Sequence, residues 1–185
     1  MQCLRKSIKG TQSFLRKTYA KTPNFTCLAT HNAEEAFAVG SETGEIRLYK
    51  EVGQNAKNLY QGFGDPILAL DSTKDGKWLL ATTKTYLILI PTHVAGKDGY
   101  IYPLGKENKN IPYKLTLNPD DIRRFKVIDI SFNPAKFNDS KDGKEKYIVA
   151  STGDLLLTWN MKNILSGNVR KYDVIFVAFY VNDLD

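Results

Sequence analysis

The chain has 185 residues, 42% of them apolar and 25% charged, the mixture of a globular protein with room for one sizeable core. No apolar run approaches the roughly 18 residues of a helical membrane span, and the opening MQCLRKSIKG lacks the apolar stretch of a secretory signal, so neither is expected. Two cysteines, Cys3 and Cys27, are too few for a disulfide framework and point to a reducing cytosolic or nuclear setting.

The net charge of +6 is unevenly placed. Residues 1–33 hold Arg5, Lys6, Lys9, Arg16, Lys17 and Lys21 and no acid, while the remaining 20 basic residues balance 20 acidic ones. Residues 1–16 therefore read as a basic arm or as the remnant of a preceding repeat, and 17–185 as the domain proper. Such an arm is the alternative seat of function, directed at an acidic partner: nucleic acid, an anionic membrane or an acidic protein.

The first structured unit is FTCLATHNAEEAFAVGSETGEIRLYK, Phe25 to Lys50, which alternates short apolar runs with polar breaks. With NAKNLYQ after it, this unit spans about 25–62. The second, about 64–118, opens with PILALDS, turns at TKDGK, where Asp-Gly tolerates positive φ, and continues with WLLATT and TYLILI. These runs are too short and too rich in β-branched and aromatic residues for helices, and nearly continuous apolarity implies cover on both faces. A Gly- and Lys-rich insertion, 92–110, separates them from IPYKLTL (Ile111–Leu117), expected as a fourth, outer strand, and NPDDIRRFK then connects.

The third unit, about 126–173, opens with a strand expected at VIDISF and widens its turn at NPAKFNDSKDGKEK. YIVAS and LLLTWN then repeat the aromatic-led pattern. A strand at 174–182 is expected to open a further unit. Phe37 to Tyr49, Trp78 to Ile90 and Tyr147 to Trp159 are each 12 residues apart, a register that a sandwich has no reason to repeat three times. A period of about 40–45 residues with four short strands is the size of a propeller blade. The expected fold is all-β, a partial propeller of three to four blades. A seven-bladed ring would need about 300 residues at that period.

Chemistry finds little support. Cys27 and His31, four apart on a strand, stand about 13 Å apart, too far for a nucleophile and its base. His93 begins a loop and is expected at the surface. The two cysteines and two histidines form no zinc pattern, and NDSKDGKEK lacks the spaced carboxylates of a calcium loop. GFGDP lacks both the following helix and the Gly-Lys-Ser/Thr of a phosphate loop; Gly62, Gly64 and Pro66 read instead as a tight entry into the next unit, with Asp65 capping the turn. Trp78, Tyr147 and Trp159 occupy repeat positions and read as packing between units. No catalytic residue, metal or cofactor is expected. The turn of Lys84, Thr85 and Tyr86 is the candidate partner contact, with the 92–110 loop and the other turns beside it.

NFTCLAT, AVGSETGEIRLY, NAKNLYQGFGDPI, DGKWLLATTKTYLILI, LTLNP and YIVASTGDLLLTWNM, together covering roughly Lys17 to Asp173, resemble the C-terminal WD40-like domain of the vacuolar import and degradation protein twenty-seven family, which includes the plant defective-embryo-and-meristems proteins. The resemblance implies a non-enzymatic protein with a C-terminal propeller, cytoplasmic with a nuclear fraction as the second option. It implies a part in delivering proteins to the vacuole for degradation and, from the plant members, a Ran-type small GTPase as partner. Family members are longer, with an N-terminal region not present in this sequence, so the chain is expected to be a fragment or an open array of blades.

Overall fold

The computed structural model describes residues 5–8, 11–14, 23–31, 35–105, 112–139 and 144–177, the first two segments as backbone alone. In the basic segment, β1 (Arg5–Ile8) and β2 (Thr11–Phe14) form an antiparallel hairpin.

Three four-stranded antiparallel sheets follow. The first takes β3 (Phe25–Thr30), β4 (Phe37–Ser41), β5 (Glu45–Tyr49) and β6 (Asn58–Gln61) in chain order. The second runs β7 (Ala69–Ser72), β8 (Trp78–Thr82) and β9 (Leu87–Pro91); after the small hairpin of β10 (His93–Val94) and β11 (Lys97–Asp98), β12 (Tyr113–Leu115) closes its edge. A short helix, α1 (Pro119–Arg124), leads to the third sheet: β13 (Lys136–Asp139), β14 (Glu145–Thr152), β15 (Leu155–Asn160) and, past the helix α2 (Met161–Leu165), β16 (Tyr172–Phe176). α2 begins where the Asn160 side chain accepts the Lys162 amide at 2.9 Å, the usual way to satisfy a helix's first donors.

The first strands of the sheets lie side by side, β7 touching both β3 and β13. The sheets therefore fan out like blades, and two apolar seams hold them. Ala29, Ala38, Ile46 and Leu48 meet Leu70, Leu79, Ala81, Ile88 and Ile90 across the first seam. Leu80, Leu87, Leu89 and Leu115 meet Ile148, Ala150, Leu157 and Trp159 across the second. The middle sheet thus has core on both faces, which is why every residue of LILIP is buried.

Polar side chains cross the same seams. Asp71 accepts from Lys136 Nζ and from the Phe137 amide, both at 2.8 Å, and the Glu145 carboxylate accepts the Lys74 amide at 3.0 and 2.9 Å. Thr82 Oγ1 accepts the Ala135 amide at 3.0 Å. The Tyr172 hydroxyl accepts the Asn118 amide at 2.8 Å and donates to Asp121 at 2.6 Å; burial, and then the Asp121 carboxylate, push it up to about 12.

Asn58 ties the 92–105 part of the insertion to the first sheet. It accepts from the Leu104 amide at 2.8 Å and donates to the carbonyls of Gly99 and Tyr102, while Tyr100 is fully buried. The first part of the expected surface loop is therefore a packed segment; residues 106–111 lie outside the described ones. Asn58→Ala strands two buried backbone groups, the Gly99 carbonyl and the Leu104 amide, and removes a part-buried bond to Tyr102, so it is expected to lower stability by about 2–3 kcal/mol. Proteolysis should then cut first within 92–105, and unchanged protection there would disprove the tie.

Three strand expectations need correction. The first strand of the third sheet is Lys136–Asp139, not VIDISF: Asn133-Pro134 interrupts, and only Phe132 bridges, to Thr152. The widened turn was therefore expected too early; its remaining residues, 140–143, are outside the described ones. Residues 172–176 pair with β15 and complete the third sheet rather than opening a fourth, and 178–182 lie outside the described residues. Finally, the shared 12-residue spacing hides different pairings. Phe37 faces Tyr49, but Trp78 faces Pro91 and Tyr147 faces Asn160, because the hairpin loops are 42–44, 83–86 and 153–154.

Candidate interaction surface

Strands that alternate in direction send their connections to two ends. The loops 42–44, 83–86 and 153–154 and the sheet-to-sheet connections 62–68 and 116–135 gather on one rim; the remaining turns gather on the other. The first rim carries Phe63, Leu68, Ile128, Phe176 and Val177 as exposed large apolar side chains, the second Val52, Tyr102 and Leu165. Single exposed apolar residues are ordinary; a rim that collects five is less so.

Ile128 stands fully clear of the protein, at 102% relative exposure. It lies two residues after Lys126, whose φ is +51°, and beside a shallow hollow of about 270 Å³ whose walls include Phe125, Val127, Leu155 and Phe176. Phe125 and Phe176 stack there at 5.8 Å. Asp154 lines the same hollow.

The turn expected to touch a partner is only partly available. Thr85 is exposed. Lys84 is exposed but already engaged: its Nζ lies 3.0 Å from Asp129, and its carbonyl accepts the Phe132 amide. Tyr86 is 3% exposed. Thr83 folds the turn so that this ring points inward, its hydroxyl donating to the Tyr86 carbonyl at 2.7 Å and accepting the Tyr86 amide at 3.2 Å.

What covers Tyr86 is a neighbour that sequence reasoning missed. Phe63, 51% exposed, meets it edge to face at 5.8 Å, and Lys114 Nζ sits 3.9 Å from the Tyr86 centroid. The available signal was a large aromatic between two glycines, where no core position calls for one. Gly62 is needed because its amide bonds the Gly44 carbonyl at 3.0 Å, leaving no room for a Cβ. Burial, then the Asp65 carboxylate beside it, push the Tyr86 hydroxyl up to about 12.

The residues weighed for chemistry are dispersed. Cys27 Sγ lies against the Ile67 carbonyl at 3.6 Å, and burial pushes its thiol up, the opposite of an activated nucleophile. His31 instead packs edge-on to Tyr100 at 5.4 Å. His93 is half-buried on β10, backbone-paired with Asp98, not a surface loop residue. Among the described residues no three His, Cys, Asp or Glu gather to hold a metal, and no helix is long and apolar enough to cross a membrane.

Fanned four-stranded sheets joined in this order are the blades of a WD40-like β-propeller. Two solved WD40 structures share the arrangement: U3-55K and the RRP9 WD40 repeats each superpose with a TM-score of 0.57 at 12% identity over 88% of this chain, which spans 41% and 40% of theirs. Residues 7–182 match the family model of the VID27 C-terminal WD40-like domain, and the chain belongs to that family. It is 37% identical to vacuolar import and degradation protein 27 of Schizosaccharomyces pombe over 85% of its length, and 31% identical to the Saccharomyces cerevisiae protein of that name over 88%. It spans only 21% and 23% of those proteins.

Proposed function

We propose that the chain is a non-enzymatic protein-interaction module serving the vacuolar import and degradation that its fungal relatives' names describe. The observation that carries this reading is the rim around Ile128: an apolar side chain held wholly in water, next to an aromatic-walled hollow, on a scaffold with two packed seams. Binding would be won by such anchors rather than by total area. A cytoplasmic setting, a nuclear fraction and a Ran-type small GTPase as partner belong to this proposal on the strength of the resemblance alone.

The test compares capture of proteins from the source cell's extract by the wild-type chain and by Ile128→Asp. The substitution should leave the unfolding temperature unchanged and cut capture about tenfold, the size of an anchor's loss. Retained capture that instead vanishes on deleting residues 1–22, with a steep salt dependence, would hand the function to the basic arm.

A further inference from the structure

Phe63 and Tyr86 do not merely touch. Their planes stand at 81°, so the two rings form the walls of a right-angled corner on the first rim. Lys114, exposed on β12, places its ammonium in that corner, 3.9 Å from the Tyr86 centroid and 4.8 Å from that of Phe63. Among the described residues no carboxylate lies within ion-pair distance of this ammonium. Asp65 lies beside the Tyr86 hydroxyl and adds negative charge at the edge.

Ring faces are negative and attract cations, and two faces at right angles attract one cation twice. A primary ammonium is a poor permanent tenant. It is strongly hydrated, and the rings offer its three N–H donors no acceptors. A methylated ammonium has few or no donors to leave unsatisfied and fills the corner with methyl groups. Exposed cation–π contacts are weak, so the lysine's hold is one that a better-matched cation can break.

We propose that the Phe63–Tyr86 corner is an ammonium-binding cage, that Lys114 fills it in the free chain as a tethered competitor, and that methylated lysine on a partner protein is the ligand class that displaces it. The inference builds on the interaction reading and is separable from it, because its test needs no partner.

Isothermal titration of the purified chain with tetramethylammonium, and with one peptide carrying either lysine or trimethyl-lysine, decides the matter. Lys114→Ala should bind tetramethylammonium saturably and prefer the trimethylated peptide about tenfold over the unmodified one. The wild-type chain should bind the same peptide about five- to tenfold more weakly than Lys114→Ala, since it must first move its own lysine. Adding Phe63→Ala to Lys114→Ala should abolish binding, with far-UV circular dichroism unchanged. Absence of saturable binding to Lys114→Ala, or binding that survives loss of Phe63, overturns the proposal. If that happens while Ile128→Asp still loses captured protein, the interaction reading stands and the cage alone falls.

Discussion

Trp159→Ala lowers the stability of the chain by about 3–5 kcal/mol, the range for removing a fully enclosed tryptophan. The indole is 0% exposed at the centre of the second seam. It lies 5.0 Å from the Tyr172 ring and 6.5 Å from that of Phe132, in the apolar cluster that also takes Leu80, Leu87, Leu89 and Leu115 of the second sheet, so its loss opens a cavity in that shared core. Domains of this size hold only about 5–15 kcal/mol in total, and the variant should melt about 6–20 °C lower. Trp159→Phe costs much less, about 1–2 kcal/mol, because the indole N–H has no hydrogen-bond partner to lose. Urea unfolding followed by circular dichroism measures both. A loss below about 1 kcal/mol for the alanine variant would mean that the second and third sheets are not joined as described.

Gly76→Ala comes next, at about 3 kcal/mol, from two independent causes. The turn between β7 and β8 holds Gly76 at φ +65°, where a Cβ alone costs about 1–2 kcal/mol. A methyl there would also overlap the His31 imidazole, which is pinned in the first seam against Tyr100. The turn cannot swing away, because the Gly76 amide bonds the Thr73 carbonyl at 2.8 Å and its own carbonyl accepts the Thr92 hydroxyl. Combining Gly76→Ala with His31→Ala separates the causes: the overlap disappears and the backbone cost remains. Strict additivity of the two substitutions would refute the contact.

Much of this fold could be read from short runs of residues, because burial on both faces leaves a mark that polar interruption cannot hide. WLLAT, apolar up to its final threonine, and LILIP prove to be the two middle strands of the doubly covered sheet. The Asp-Gly of TKDGK takes the positive φ its composition suggested. The failures have a common cause: they turn on three-dimensional choices that local pattern does not encode. VIDISF alternates like a strand, yet Ile128 points into water, and apart from the single bridge of Phe132 the pairing begins only after Pro134. Equal spacing between large side chains said nothing about loops of different length, and so nothing about which residues face each other. Tyr86 looked like a turn residue free to meet a partner. Its inward pose depends on the Thr83 hydroxyl, and its lid on Phe63, 23 residues earlier, and Lys114, 28 later. No periodicity links those positions.

The doubly covered middle sheet also makes its neighbours listen to one another. Ile88 and Ile90 face one seam while Leu87 and Leu89 face the other, on a single strand of five residues. A close-packed strand cannot shift toward one side without withdrawing from the other. Moving that strand to suit one seam therefore costs contacts in the other, so the two seams share a support one peptide wide.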